Sequence, residues 1–368
     1  MPLRTGIADL PLHTGKCPRW LFSRMVPLAE SIVELIYLEY GSKEVLKRLA
    51  DPFWFQALGC VIGFDWHSSG LTTTTVGALK EALNKNEEIP IKVAGGKGKN
   101  ALKTPEDIKV NSFILYKERY ADELIKSSKF AARVDNAFVQ DGYKLYHHCI
   151  VFDEKGNWCV VQQGLNEASN YARRYHWFGK GCNLKVVEPH TGIYSQSLSK
   201  TVLDFTSKEN EELRKSCVDA LNDKNKWACL LPKNNLLRYS LKMPADHFHL
   251  PLDEKDRKAL KKIEDINVSD FQDLVWIKGL GKKGLRALAL VSTLIYGTKI
   301  SWKDPAKYSY SHGGKDGVPY PVNKRRMDKT IELLRDAIKN AKLKDYEKKN
   351  ALKRLAKVTE SIFETCDD

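Results

Sequence analysis

A glycine-rich turn between two apolar stretches places the strongest constraint on how this chain folds. Residues 270–297 read DFQDLVWIKGLGKKGLRALALVSTLIYG, in which Gly279 and Gly281 separate two segments of helical apolar spacing. Glycine adopts backbone angles that other residues avoid, which lets main-chain N–H groups come close to a ligand. The pattern predicts a helix-hairpin-helix over residues 270–297.

The chemistry of this turn favours an anionic ligand. The second helix begins at the turn, where its dipole and free N–H groups attract a phosphate. We therefore expect the lysines and glycines of the turn to contact the backbone of nucleic acid without reading its sequence. These residues are Lys278, Gly279, Gly281, Lys282 and Lys283. A turn that serves only to pack two helices is the alternative.

The composition agrees with a polyanionic partner. The 368 residues include 60 Lys and Arg against 46 Asp and Glu, a formal net charge of +14. No apolar run reaches the roughly 18 residues of a membrane span and no signal sequence is evident, so we expect a soluble, cytoplasmic protein. The eight cysteines include no C-x-x-C pair, which argues against a zinc ribbon or a disulfide framework.

The predicted fold class is α+β, with a mixed α/β domain over residues 1–240 and an all-helical domain over residues 241–368. Prolines at 232, 244 and 251 mark the boundary. The first domain contains a helix kinked near Gly41, a buried strand, two further helical regions and a β-hairpin, predicted over residues 27–49, 60–64, 75–83, 104–134 and 143–163. The second ends in a long charged helix over residues 323–364, whose apolar stripe predicts a homodimer.

Residues 94–99 read AGGKGK. This composition predicts a mobile basic loop, which either contacts phosphate or serves as a linker. It is not a P-loop, because the glycine spacing and the Ser or Thr after the lysine are missing.

Polar residues of the first domain occur in short runs beside apolar strand patterns. The runs are Asp65-Trp66-His67, DNAFVQD at 135–141, Tyr146-His147-His148, Gln162-Gln163 and Glu188-Pro189-His190. Carboxylates and imidazoles from several strands form divalent-metal sites for phosphodiester cleavage, in which the ions activate water and stabilise the leaving oxygen. Structural histidines and solvated surface acids are the alternatives.

These runs supply the candidate site. The candidate catalytic residues are Asp65, His67, Asp141, His148, Glu188 and His190. The expected ligands of Mg²⁺ or Mn²⁺ are Asp65, Asp141, Glu188 and His190. Adjacent strand residues point to opposite faces, so at most one of His147 and His148 belongs to the site. At the end of the predicted strand 60–64, Asp65 resembles the first acid of ribonuclease H-like nucleases.

The run ARRYHWF at residues 172–178 alternates basic and aromatic side chains. Such side chains stack on unpaired bases and neutralise phosphates, so Arg173 and Arg174 are predicted DNA contacts. A half-buried strand edge is the alternative.

Several motifs together resemble the archaeal and bacterial family named domain of unknown function 763. The motifs are GFDWHSSGLTTTTVGALKEAL, DNAFVQDGYKLYHH, VVQQGLN, ARRYHW, EPHTGI and SWKDPAKYSYSHGGKDGVPYP. The resemblance spans nearly the whole chain. It implies a two-part architecture that ends in a helix-hairpin-helix, and it implies DNA metabolism without assigning catalytic residues.

Three functions are consistent with these patterns. The first is a metal-dependent DNA nuclease that acts on single-stranded or branched DNA in repair or recombination. The second is a helix-hairpin-helix DNA glycosylase that uses Lys283 and Asp304. The third is a non-catalytic protein that binds DNA by its structure.

Overall fold

Five antiparallel strands form the central sheet of the protein, in the order β1-β3-β4-β5-β6. The structure is a computed structural model that describes residues 17–64, 68–115, 120–195, 199, 201–223 and 268–306, together with 336 and 339. The strands of the central sheet are β1 Ile91–Lys97, β3 Lys144–Asp153, β4 Asn157–Asn166, β5 Tyr171–Lys180 and β6 His190–Ser195. Two short strands, β2 Val139–Gln140 and β7 Leu203–Asp204, form a separate antiparallel pair. The predicted hairpin over residues 143–163 is confirmed as β3 and β4.

Four helices cover one face of the sheet. They are α1 Arg19–Tyr40, α2 Ser42–Leu49, α3 Pro52–Val61 and α4 Ser69–Lys85. Their apolar side chains share one core with alternate sheet residues such as Val93, Val151 and Val161. The predicted kink lies at Gly41, whose φ of 79° lies in the left-handed region and separates α1 from α2.

The opposite face is covered by α6 Thr104–Ile114, α7 Ala121–Arg133 and α8 Glu211–Asn222, and the short helix α5 Lys99–Leu102, with no buried residue, precedes α6. A π-helical turn, Val134–Phe138, continues α7, and a 3₁₀ turn, Lys208–Asn210, precedes α8. A second 3₁₀ helix, Phe271–Trp276, is followed by α9 Lys282–Tyr296. The sheet residues that alternate with the first set, including Ile150 and Val160, pack against this layer. The result is a three-layer arrangement of helices on both faces of the sheet. It belongs to the α+β class, as predicted from the sequence.

The predicted strand over residues 60–64 is wrong. Cys60 and Val61 are the last residues of α3, which begins at Pro52 with Asp51 as its N-cap. The Asp51 carboxylate accepts hydrogen bonds from the N–H groups of Phe53 and Trp54. A short apolar run fits a buried strand and a buried helix equally well, and the Asp-Pro start decides for the helix. The likeness of Asp65 to a ribonuclease H-like strand-end acid rested on that strand and is not confirmed.

The predicted mobile loop over residues 94–99 is also different in the structure. Residues up to Lys97 belong to β1, which forms one edge of the sheet and pairs with β3. Glycines weaken a strand by themselves, but the pairing with β3 and the packing of Ala94 override this preference here.

The described part of the C-terminal region belongs to the same core as the sheet. Leu274, Leu285 and Leu288 pack with Phe138, Ile150 and other residues of the second sheet face. The division at residue 241 stays a prediction, because residues 224–267 lie outside the described chain. The predicted helix over residues 323–364 also lies outside it, apart from 336 and 339. None of the described helices has the length and apolar character needed to cross a bilayer.

Candidate functional site

The register of the sheet brings the polar runs of the sequence together in two rows across the strands. One row faces α1–α4 and consists of the register partners Lys97, His147, Gln163, Arg174 and Tyr194. The adjacent row lies on the opposite face and includes His148, Gln162 and Tyr175. Several runs that lie far apart in the sequence therefore meet, but on two separate faces.

Asp135 lies at the centre of the polar cluster on the second face. The π-helical turn places its carboxylate over β4 and β5, where it is completely buried. Its Oδ1 accepts a hydrogen bond from His190 Nε2 at 2.6 Å, and its Oδ2 accepts one from Trp177 Nε1 at 2.9 Å. Gln162 Nε2 donates to the same Oδ2. π-helical turns are rare and are frequent at functional sites, so this turn marks the cluster for attention.

A chain of hydrogen bonds continues from Asp135 into the sheet. The Gln162 Oε1 accepts from His148 Nδ1 at 2.9 Å, and His148 Nε2 lies 2.7 Å from Ser128 Oγ on α7. Burial lowers the pKa of His148 to about 4, so the ring is neutral near pH 7. The network then assigns the proton to Nδ1, and the Ser128 hydroxyl donates to Nε2.

The pKa values of two buried acids, Asp135 and Asp204, are both affected by the imidazole of His190. Burial raises the pKa of Asp135, and the neighbouring His190 opposes that rise. Burial likewise raises the pKa of Asp204 to about 6, again with His190 acting in the opposite direction. The His190 side chain is 7% exposed, whereas that of Asp135 is fully enclosed. The arrangement is an imidazole at the rim of the core, oriented by a buried carboxylate.

Arg173 and Asp141 form a buried ion pair rather than surface or metal-binding groups. Arg173 Nη1 donates to Asp141 Oδ2 at 2.9 Å, and both side chains are 0% exposed. The Tyr175 hydroxyl donates to the same carboxylate oxygen at 2.7 Å. The predicted DNA contact of Arg173 is therefore wrong, and the Asp141 carboxylate is already neutralised where a metal ion was expected.

Arg174 is buried on the opposite face of the sheet. Its guanidinium donates to Gln56 Oε1 and Thr72 Oγ1, both at 3.1 Å, and to the main-chain oxygen of Pro52. With 0% exposure, it cannot reach a nucleic acid. The prediction for Arg174 is wrong because β5 lies inside the sheet, not at its edge. Its charge instead joins α3 and α4 to the sheet.

The predicted metal ligands do not converge among the residues that the structure describes. Glu188 is exposed in the loop before β6, with a φ of 47°, whereas His190 is bound to Asp135. Within the described ranges, no group of three or more His, Cys, Asp or Glu side chains can hold a metal ion. The described residues do not fit the expected Mg²⁺ or Mn²⁺ site. Asp65 and His67 lie outside the described residues, so their roles stay predictions.

The turn between the 3₁₀ helix and α9 comprises residues 277–283. Of its two glycines, one has the backbone conformation that favours glycine and the other does not. Gly279 has a φ of 94°, in the left-handed region, whereas Gly281 has an ordinary extended conformation with a φ of −104°. The first predicted helix of the motif is a six-residue 3₁₀ helix. Lys278 and Gly279 are exposed, and Gly281 provides no side-chain cap for α9.

Two polar side chains of the body, Arg133 and Gln140, hold this turn in place. Arg133 Nη2 donates to the main-chain oxygens of Ile277 and Leu280, the latter at 2.7 Å. Gln140 Nε2 donates to Lys282 O, and Arg286 Nε donates to Gln140 Oε1. Lys282 Nζ reaches back to Tyr143 O at 3.1 Å. The charge of Lys282 is thus directed towards the body, and Lys278 is the exposed lysine of the turn.

The glycosylase pair is not supported by these positions. Both oxygens of the Asp304 carboxylate accept hydrogen bonds from Arg173, and they also accept from the N–H groups of Ser199 and Ala306. Its side chain is 2% exposed. An acid that is held in this way is not available to act on a base beside Lys283.

The runs named in the sequence contain the members of this network, and His148 and His190 were among the candidate residues, but Asp135 at its centre was not. Asp135 belongs to the run at 135–141, from which Asp141 was selected instead, and Gln162 was named without a role. Alternation along β4 could have separated Gln162 from Gln163, since neighbours point to opposite faces. The hydrogen bond from Trp177 to Asp135 had no sequence signal, because it depends on how α7 ends.

The sheet, the two helical layers and the Asp135 cluster define an α+β protein with a buried polar centre. The family described as "Protein of unknown function (DUF763)" matches residues 6–322, and the chain belongs to this family. The predicted family resemblance is thereby confirmed. No curated protein and no solved structure matches the chain.

Proposed function

We propose that this protein binds the sugar–phosphate backbone of DNA through the hairpin turn, residues 277–283. The observation that carries the proposal is the left-handed Gly279 beside the exposed Lys278, two residues before the uncapped N-terminus of α9. A left-handed glycine before a helix start points main-chain N–H groups outward, where they bind anions.

The N-terminus of α9 supports a phosphate contact. The first N–H groups of a helix have no partner within the helix, and a side-chain cap usually satisfies one of them. Gly281 has no side chain to do so. The dipole of the 15-residue helix adds positive potential at the same place. Lys278, which is exposed beside this helix start, would attract a phosphate oxygen to it.

The anchoring of the turn supports a preorganised site. Arg133 donates to the carbonyl oxygens of Ile277 and Leu280, which fixes the backbone of the turn against the body. Because the turn is already fixed, little conformational entropy is lost on binding. Such a contact binds the sugar–phosphate backbone and does not recognise the bases. It is therefore consistent with a protein that selects DNA by its structure.

A salt titration of DNA affinity tests the proposal. We compare the parent protein, the variant Lys278→Gln/Lys283→Gln, and the control Lys43→Gln/Lys185→Gln, whose lysines are exposed outside the turn. The logarithm of affinity should fall linearly with the logarithm of salt concentration, and the turn variant should lower the slope by about 1 per lysine. Equal slopes in the turn variant and in the control would remove the turn from the interface.

Phosphodiester hydrolysis is a second candidate function, favoured by the Asp135–His190 pair. A buried carboxylate fixes the orientation of an imidazole and stabilises its protonated form. The ring then accepts a proton from an attacking water molecule, as general bases do. His190 lies at the rim of the core, and its Nε2 is held by Asp135 at 2.6 Å.

A cleavage assay separates binding alone from hydrolysis. Labelled single-stranded, duplex and forked DNA are incubated with Mg²⁺, Mn²⁺ or a chelator. His190→Gln keeps a donor for Asp135 but removes proton transfer, so cleavage should be lost while DNA affinity remains. Glu188→Gln is the control, because Glu188 is exposed outside the cluster. Cleavage lost only in the control would favour the sequence-predicted acids. Binding without cleavage by the parent protein would leave the non-catalytic function.

A further inference from the structure

The segment that comprises the end of β1 and the short helix α5, which we call the basic loop (residues 95–103), has a backbone that only glycine permits at three positions. Gly95, Gly96 and Gly98 have φ values of 93°, 145° and 59°. A Cβ atom on Gly95 would lie 2.4 Å from the main-chain oxygen of His148 and 2.7 Å from Thr104 Oγ1. These glycines are therefore required by close packing and by the turn itself.

The basic loop is anchored on both sides. The Gly95 N–H donates to Asp107 Oδ2 at 3.0 Å, and Lys80 Nζ donates to Gly95 O at 2.9 Å. Further along, the Gly98 N–H donates to Tyr146 O at 2.8 Å. The anchors at Gly95 and Gly98 make the first half of the loop a fixed surface feature rather than a linker.

Three lysines project from this fixed loop without compensating acids. Lys97, Lys99 and Lys103 are exposed, and no carboxylate of the described chain forms an ion pair with them. Lys97 Nζ lies over the Tyr146 ring, 5.9 Å from its centre, which orients its charge.

Other lysines of the same region behave differently. Lys80 is paired with Asp107 at 2.5 Å, and Lys85 is paired with Glu81 at 2.9 Å. The pairing of Lys80 also leaves Asp107 neutralised beneath the loop. The loop thus has a local excess of positive charge, which attracts a polyanion.

The basic loop and the hairpin turn lie at the same end of the sheet. Both are fastened to the start of β3: Lys282 Nζ bonds to Tyr143 O, and the Gly98 N–H bonds to Tyr146 O. These two anchors are three residues apart, about 10 Å along an extended chain. A single nucleic-acid strand is long enough to contact both.

We propose that the basic loop is a second phosphate-binding site and that one DNA strand contacts it together with the hairpin turn. The inference rests on the proposed function and adds the course of the strand. The lysines act as point charges on successive phosphates, while the hairpin turn supplies main-chain N–H groups.

Variants of the two sites, alone and combined, test this proposal. The loop variant is Lys97→Gln/Lys99→Gln/Lys103→Gln, and the matched control is Lys43→Gln/Lys185→Gln/Lys208→Gln, all exposed lysines elsewhere. On a long oligonucleotide the loop variant should lower the salt slope by about 3 in total, because about one counterion is released per phosphate contact. The losses of the loop and hairpin-turn variants should add in the combined protein.

A dinucleotide provides the second readout, because it is too short to contact both sites. The loop variant should then still bind the dinucleotide at the hairpin turn, and the hairpin-turn variant should still bind it at the basic loop. A loop variant with the slope of its matched control on long DNA would overturn the basic-loop site and leave the hairpin turn intact. If the salt slope fell in the loop variant but not in the hairpin-turn variant, the hairpin turn would not be part of the DNA interface. A parent protein that binds no oligonucleotide at low salt would overturn both.

Discussion

Arg173 on β5 and Asp304 near the end of the described chain form a paired set of hydrogen bonds across 131 residues of sequence. Arg173 Nη1 and Nη2 donate to Asp304 Oδ1 and Oδ2 at 3.0 and 2.7 Å. Two acids, Asp141 and Asp304, raise the pKa of Arg173 against the opposing effect of burial. The pair joins residues 268–306 to the sheet.

Removing one partner of this pair should destabilise the protein strongly. In Asp304→Asn the buried guanidinium loses half of its compensating charge, and we expect the free energy of unfolding to fall by about 3–5 kcal/mol. Urea denaturation measures the change. The adjacent Lys303→Ala breaks only an exposed ion pair with Glu209, which water screens, so it should change the free energy of unfolding very little. Equal losses in the two variants would show that the buried pair is not what holds this segment.

The buried histidines should make stability depend on pH. Burial lowers the pKa of His147 to about 3 and that of His148 to about 4. The unfolded chain binds these protons at a pH of about 6.5, so below that pH it binds more protons than the folded protein. Stability should therefore be lost as the pH falls from about 6.5 towards the lowered pKa values.

His147→Leu isolates one of these contributions. Neither ring nitrogen of His147 has a hydrogen-bond partner, so the variant should keep its stability at neutral pH. As the pH falls from about 6 to about 4, the free energy of unfolding should fall less steeply in the variant than in the parent protein. The difference between the two slopes should be about 1.4 kcal/mol per pH unit. The raised pKa of Asp204 acts in the opposite direction and is common to both proteins. Parallel stability curves over this range would contradict the burial of a neutral His147.

Arg133 should affect DNA binding as a positioning residue. Arg133→Met removes the donors to Ile277 O and Leu280 O, which loosens the hairpin turn without removing a phosphate contact. We expect affinity to fall about tenfold, about 1.4 kcal/mol, with an unchanged salt slope. The exposed Lys129 on the same helix supplies the control Lys129→Met. A reduced slope in Arg133→Met would instead make Arg133 a direct contact.

The two glycines of the hairpin turn should respond differently to substitution. Gly279→Ala forces a side chain into the left-handed region at a cost of about 1–2 kcal/mol, so the turn should shift and DNA affinity should fall. Gly281→Ser places a preferred N-cap residue in an allowed conformation and should raise the melting temperature slightly. Because the new hydroxyl occupies an N–H group of α9, it should also weaken DNA binding. Unchanged affinity in both variants would argue against main-chain phosphate contacts.

Local patterns predicted the elements whose residues carry their own start and stop signals. The β3–β4 hairpin was predicted because alternating apolar residues flank a polar turn, and the helical break was predicted at Gly41. The error at residues 60–64 arose where an apolar run has no periodicity to distinguish helix from strand. Residues 94–99 were predicted as a mobile loop for the opposite reason, because their glycines form a strand only when β3 is beside them.

The candidate site shows the same division. The sequence analysis identified polar runs beside strand patterns, and several of these runs meet in the structure. Such runs occur in catalytic and in structural networks alike, so the pattern did not distinguish the two. It could not decide which members face each other, since that choice depends on register: a shift of one residue would exchange His147 with His148 and Arg173 with Arg174. The burial of both arginines came from the position of β5 between β4 and β6 inside the sheet, which local composition does not encode.

The amino-acid sequence by itself determined the family, the α+β class, the excess of positive charge and the glycine turn before α9, because each depends on composition or on neighbours along the chain. Only the tertiary structure decided that Asp135 is the centre of the polar cluster, that Arg173 is bound to Asp304, and that the basic loop and the hairpin turn are both bonded near the start of β3. Those relationships join residues far apart in the chain. They exist because burying a charge requires a partner, and the fold determines which partner is within reach.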